Sequence, residues 1–312
     1  MTQSVWQERF PWDDLRAFIE VAKEIDEWRE IRGADWNLEI GAVTEATAEL
    51  IPEPPMLIFD EIRGYPRGYR VLSLPIASAK RAALAWGLPP DRPKLELIRL
   101  AVRKLQEAKA RPMAPKEVSK GTVMENVLQG GKIDLLKFPA TKFHGKDGGR
   151  YIGTGDVVIT KDPETGYINM GTYRMQVHEL DLLGLWISPG KHGRQICQRY
   201  WDKGESCPVV ACFGEDPLTF LSSPAFLPWG KSELDLLGGL RGRPLEVLRG
   251  SADRATDTGS CGGGDQGRDT STLRGGARRG AFWGVAGLLF WWDHWHRGAP
   301  TCRPCEGHLP SK

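Results

Sequence analysis

Apolar residues recur at helical spacing over residues 13–26, where Leu15, Phe18, Ile19, Ala22 and Ile25 share a face and Asp13 or Asp14 can cap the start. Two strand-like runs follow, MLIFDEI (56–62) and RVLSLPIA (70–77), separated by the turn-prone RGYPRG. SAKRAALAWGL (78–88) predicts a short helix, ended by Gly87 and then by Pro89 and Pro90. KLELIRLAVRKLQEAKA (94–110) predicts a longer one that stops before Pro112. Strands alternating with helices imply a first α/β unit over residues 1–115.

From residue 116 the period shortens. DVVITKDPETGYINMGTYRMQVHE (156–179) reads as two strands of a hairpin around the DPETG turn. LLGLWI (182–187) is a further strand, followed by the loop SPGKHG and a helix from about Arg194 to Asp202. CPVVACFG (207–214) and PLEVLRG (244–250) complete the set. Several strands with few helices imply a β-rich, barrel-like second domain over 116–250, so the fold class is α+β. After Gly250 neither period persists. Residues 251–280 are rich in Gly, Arg, Asp, Ser and Thr, and four of the twelve Trp lie in the end piece. Its run AFWGVAGLLFWW (281–292) is not written like a barrel strand, and the tail 251–312 is expected to be disordered.

Composition narrows the classes. Lys and Arg number 42 against 40 Asp and Glu, which leaves no basic excess for a nucleic-acid footprint. The N-terminus has no apolar signal core and no stretch reaches the roughly 20 apolar residues of a spanning helix, so the expected location is cytoplasmic, with no membrane span. Six cysteines in 312 residues do not make a disulfide framework, and Cys197, Cys207 and Cys212 read as buried, reduced thiols.

The candidate chemistry lies in Asn169-Met170-Gly171-Thr172-Tyr173-Arg174, then Trp186-Ile187, Lys191-His192 and, much later, Glu233. Asn169, His192 and Glu233 offer an amide oxygen, an imidazole and a carboxylate, a donor set suited to Mn²⁺ or Mg²⁺. The same residues also fit plain structural roles: a hairpin amide, a polar group at a helix start and a first-turn carboxylate. Arg174 lies five residues past Asn169, so both line one site only with a bend between them.

N-x-G-x-Y-R, the W-I strand, K-H and then ELDLLGGLRGRPLEV resemble, in order, the cofactor region of the UbiD family of prenylated-flavin-dependent decarboxylases. The likeness runs from about residue 10 to 250, and DLLKFPATKFHGKDGGRYIGTG resembles the family's entry into its split β-barrel flavin-binding domain. The resemblance implies Asn169, His192 and Glu233 as ligands of Mn²⁺ or another divalent cation that clamps the phosphate of prenylated FMN, with K⁺ as a further ion. It makes Arg174 the arginine of an Arg-Glu-Glu network beside the flavin, and Thr172, Tyr173, Arg174, Trp186, Ile187, Lys191 and His192 cofactor contacts. The implied activity is that of a carboxy-lyase, a non-oxidative decarboxylase or carboxylase of an aromatic or α,β-unsaturated acid. A flavin prenyltransferase would supply its cofactor. The family assembles as homo-oligomers.

The tail departs from that pattern. After the barrel the family carries an A-E-I-x-x-E-G motif with the two network glutamates, a G-P-F-G-E block and a C-terminal α/β domain, none of which is written here. With suitable third bases, codons for residues 280–295 read one base out of step encode GPFGEWLGYYSGGTT, and those for 260–265 encode PAEAEI. A one-base frameshift near codon 250 accounts for both, and implies a truncated, catalytically inactive family member as the alternative to an active one. On that reading the zinc-like spacing Cys302-x-x-Cys305-x-x-His308 is accidental.

Overall fold

In a computed structural model of the protein, residues 4–121, 126–128, 130–248, 271–279 and 288–297 are described. Helices α1 (Ser4–Arg9) and α2 (Leu15–Glu24) lead into β1 (Trp28–Arg32), α3 (Glu39–Leu50), β2 (Met56–Asp60) and β3 (Val71–Ser73). Helices α4 (Ala79–Ala85) and α5 (Lys94–Ala110) complete this part. Asp14, one of the two expected caps, accepts from the Ala17 amide, and Ser78 caps α4 in the same way through Arg81. Strand β2 is central, parallel to β1 and antiparallel to β3, and every one of its residues is buried. Its alternation explains why. Met56 and Ile58 pack with Phe18, Val21 and Leu84 on one face, while Leu57 and Phe59 pack with Ile40 and Ile62 on the other.

The second part runs through β4 (Lys116–Val118), β5 (Asn126–Leu128), β6 (Tyr151–Gly153), β7 (Asp156–Lys161), β8 (Ile168–Gly171), β9 (Met175–Glu179) and β10 (Leu182–Leu185). Helix α6 (His192–Trp201), β11 (Cys207–Phe213), α7 (Pro217–Ser222), α8 (Glu233–Arg241) and β12 (Glu246–Leu248) follow. The expected second hairpin strand is broken at 172–174, so β8 and β9 are separate, and α6 begins two residues earlier than its sequence suggested. Strand β12 pairs in parallel with β4, tying the end of this part to its start.

The tail is the main correction. Strands β13 (Ser271–Arg279) and β14 (Leu288–Arg297) join the large sheet, whose order is β6-β9-β10-β13-β14-β11-β7-β8, with β5 on β13. Neither disorder throughout nor the absence of a strand in the apolar run holds for these segments. Unpaired edges on β10 and β11 present rows of N–H and C=O groups, and an extended chain of almost any sequence can pair with them. Residues 249–270, 280–287 and 298–312, with Cys302, Cys305 and His308, lie outside the described residues.

The sheet has two apolar faces. Val158, Val209 and Ala211 meet Met175, Leu183, Leu185, Ile196, Cys197 and Cys207 on one. Val157 and Cys212 meet Leu218, Leu234, Leu237 and Leu240 on the other, where α8 is wedged between the sheet and α5. All three expected thiols are buried, with the Sγ atoms of Cys197 and Cys207 3.2 Å apart. Helix α8 reaches α5 so closely because it has glycines there. A Cβ on Gly239 would lie 2.9 Å from the Ala108 carbonyl oxygen. Among the described residues no helix is long and apolar enough to cross a membrane.

Candidate functional site

Strand β8 brings Asn169 to the sheet surface beneath α8, whose first residue is Glu233. The Ser232 side chain caps that helix by accepting from Leu234 N–H, and Gly242, at φ 71°, ends it in the left-handed region. Glu233 is 2% exposed and Asn169 4%. The Glu233 carboxylate accepts from Asn169 Nδ2 at 3.2 Å and from the Met170 N–H at 2.9 Å. Burial pushes its pKa up to about 7 in spite of these bonds. Asn169 Oδ1 is buried and accepts nothing among the described residues.

His192 opens α6, immediately beside this pair. Its neighbour Gly193 permits the approach, since a Cβ there would lie 3.3 Å from Asn169 Oδ1 and 3.2 Å from the Tyr173 hydroxyl. The Tyr173 ring folds back over Gly171, where a Cβ would lie 2.5 Å from its hydroxyl. The spacing of the N-x-G-x-Y run thus has a steric cause: the amide, the gap and the ring that fills it fall on alternate residues. Burial raises the Tyr173 pKa, and desolvation with the adjacent Lys191 charge lowers that of His192. Thr172 Oγ1 lies 2.5 Å from Ser223 Oγ, joining this strand to α7.

The remaining sequence candidates lie outside the buried knot. Ile187 is buried, but Trp186 is 43% exposed, and Lys191 and Arg174 are exposed. The strand breaks at 172–174, past Asn169, and Arg174 at the end of the break is exposed. No hydrogen bond or ion pair engages the Arg174 side chain among the described residues; its carbonyl accepts from Trp186 N–H at 3.3 Å.

Sequence reasoning missed two members of the knot. The Tyr167 hydroxyl lies 3.1 Å from His192 Nδ1, and the Trp229 ring packs against both, with centroids 5.1 Å from Tyr167 and 5.2 Å from His192. Tyr167 was legible in principle, because it lies two residues before Asn169 and so on the same strand face.

A second buried polar group was also missed. Asp156 starts β7 opposite Phe213, and Glu215 follows β11; all four of their carboxyl oxygens are buried without a hydrogen-bond partner among the described residues. Burial raises both pKa values well above the ordinary value for each group, and the Asp156 charge adds to the rise at Glu215. For a carboxyl raised in the folded state, stability is full at acid pH and falls as pH rises from about 4 towards the folded value. Asp156→Asn removes that loss, so its advantage over the wild type in urea unfolding should grow between pH 4 and 7, reaching about 1–3 kcal/mol. A pH-independent difference would show that Asp156 has a compensating partner.

Residues 19–101 match the 3-octaprenyl-4-hydroxybenzoate carboxy-lyase N-terminal domain, and residues 116–256 match the Rift-related domain of the same enzyme family, UbiD. The chain belongs to the UbiD family. It is 30% identical over 247 residues to a pyrrole-2-carboxylic acid decarboxylase of Pseudomonas aeruginosa, a match covering 76% of this chain and 48% of that relative. The chain therefore spans about half the length of the curated relatives it matches. In fold it is similar to the vanillic acid decarboxylase of Sedimentibacter hydroxybenzoicus in closed form, with a TM-score of 0.71 at 20% identity, covering 92% of this chain and 62% of that one. It is also similar to an evolved dimeric UbiD-class enzyme from Pelotomaculum thermopropionicum in complex with prFMN, with a TM-score of 0.68 at 20% identity, covering 92% and 65%.

The residues fit a divalent cation by their chemistry. Among the described residues Asn169 Oδ1 is an orphaned acceptor, and Glu233 is a carboxyl buried with amide donors but no positive partner. Among the described residues no three His, Cys, Asp or Glu side chains form a metal-holding group; this set has two such residues and an amide.

Proposed function

We propose that the chain is the cofactor-holding part of a prenylated-FMN-dependent carboxy-lyase acting on an aromatic or α,β-unsaturated carboxylic acid. Asn169, His192 and Glu233 hold Mn²⁺ or another divalent cation against the cofactor phosphate. The observation that carries this reading is the buried Glu233–Asn169 pair, whose amide oxygen has no partner among the described residues. Relatives named for decarboxylating pyrrole-2-carboxylic and vanillic acids support the substrate class, and the relative bound to prFMN supports the cofactor. Bound here, the modified flavin supplies the electron sink for loss of CO₂. The protein's part is to position the cofactor and guide the acid. Thr172, Tyr173, Trp186, Ile187 and Lys191 line the flavin, and the exposed cation of Arg174 draws the substrate carboxylate towards it.

A second reading concerns turnover. Arg174 has no carboxylate partner among the described residues, and a proton donor is needed once CO₂ has left. We infer that the chain binds cation and flavin phosphate but does not turn over, its glutamates having been lost to a frameshift near codon 250. Sequencing the locus tests the frameshift, which requires some 150 family-like codons to continue in the shifted frame.

The functional test uses the purified chain with Mn²⁺ and prenylated FMN. Flavin absorbance should be retained after desalting, and a panel of aromatic acids should release no CO₂. Glu233→Gln should abolish Mn²⁺ uptake read by electron paramagnetic resonance. Turnover with bound flavin overturns the second reading alone. Failure of the wild type to take up Mn²⁺ overturns the first.

A further inference from the structure

The three candidate ligands do not stand alone; the hydroxyl of Tyr167 touches one of them. It lies 3.1 Å from His192 Nδ1. The bonds of the Asn169 amide nitrogen go to Glu233 and to the Met170 carbonyl, and Oδ1 has no partner among the described residues. The Tyr167 ring is held in turn against Trp229, which Arg199 covers at 4.9 Å while bound to Asp162 and Glu164.

The imidazole bond can run in either direction. If the phenol donates to Nδ1, the neutral ring carries its proton on Nε2 and has no lone pair left for a cation. If Nδ1–H donates to the phenol oxygen, Nε2 is the basic nitrogen. Only this second arrangement leaves a His192 nitrogen as an acceptor beside the unpartnered Asn169 oxygen.

We propose that Tyr167 is a positioning residue: its hydroxyl accepts from His192 Nδ1–H, fixing His192 in the tautomer that leaves Nε2 free to bind the cation. The inference rests on the ligand reading of Asn169, His192 and Glu233 given above. Tyr167 acts on His192 through a hydrogen bond to the other ring nitrogen, an arrangement that usually matters to metal affinity.

The wild-type chain, labelled with ¹⁵N-histidine and free of metal, tests it without any activity measurement. Nitrogen–proton correlation spectra should show His192, identified among the six histidines by its loss in His192→Gln, protonated on Nδ1. A resonance protonated on Nε2 overturns the proposal, whatever any variant does. Tyr167→Phe keeps the ring that packs on Trp229, so its melting temperature should stay close to the wild type. Its His192 should shift towards the Nε2–H form, and its Mn²⁺ affinity should fall by roughly 10–100-fold. An unchanged tautomer and affinity in Tyr167→Phe, with uptake abolished in His192→Gln and Glu233→Gln, overturns the role of Tyr167 and leaves the ligand reading standing. Unchanged Mn²⁺ uptake in those two ligand variants overturns the ligand reading, and the inference falls with it.

Discussion

Replacing Arg241 with methionine should destabilise the chain by about 3–5 kcal/mol in urea unfolding. Arg241 ends α8, the helix that carries Glu233. Its side chain is 1% exposed and that of its partner Asp216 is not exposed at all, with Nη1 3.1 Å from Asp216 Oδ2. Its Nη2 donates to the Trp12 carbonyl at 2.6 Å, so one guanidinium joins α8, the start of α7 and the N-terminal segment. Methionine keeps most of the volume and removes the charge. Asp216 would retain the amides of Leu218 and Thr219 and the Thr219 hydroxyl, but its negative charge would stay buried without a counter-ion. The double variant Arg241→Met/Asp216→Asn should recover much of the loss, because the penalty comes from the stranded charge more than from the missing attraction. A double variant as unstable as the single one would show that the Trp12 contact matters more than the ion pair.

The second large effect is expected at Arg81. Its side chain is fully buried, and it donates to the carbonyls of Pro75 (3.0 Å), Pro54 (2.6 Å), Leu74 (3.2 Å) and Glu27 (3.1 Å) and to Glu27 Oε2 (2.6 Å). No backbone ladder satisfies a loop of this kind, and a planar fork with five N–H groups does. Leu74 lies at φ 55°, a left-handed conformation unfavourable for a leucine, and Arg81 holds its carbonyl in place. Arg81→Met should therefore cost about 4 kcal/mol, from one buried and several part-buried acceptors left without their donor. Arg81→Lys should restore only part of that, since one ammonium cannot span all of these acceptors. A lysine variant as stable as the wild type would mean that the charge alone is needed and the fork is not.

Much of the fold was legible because most elements are amphipathic or uniformly apolar. Helix α5 occupies the predicted residues 94–110, and β11 ends within one residue of its predicted end. What escaped was non-local. Helix α3 begins at Leu38, a residue at φ 73° with no side-chain cap, so no start signal marks it. The sequence predicts a hairpin strand that continues through 172–174; the structure breaks it there into β8 and β9 and leaves Arg174 exposed. The tail strands were missed because their pairing answers to open sheet edges and carries no alternation of its own. At the site, the family motif pointed to Asn169, His192 and Glu233 but not to Tyr167 or Trp229. Trp229 acts through an aromatic packing that no spacing rule encodes, whereas Tyr167 could have been found from its spacing two residues before Asn169.

The bond between Asn169 and Glu233 also sets a clock. The two residues are 64 positions apart, and the Met170 amide depends on the same carboxylate. At roughly 5–20 residues per second, synthesis delivers Glu233 about 3–13 s after Asn169. For that interval the hairpin of β7 and β8 must leave these groups to water or to passing partners. A chain leaving the ribosome thus brings the two partners of this buried pair together late, and α8 can close over Asn169 only after that interval.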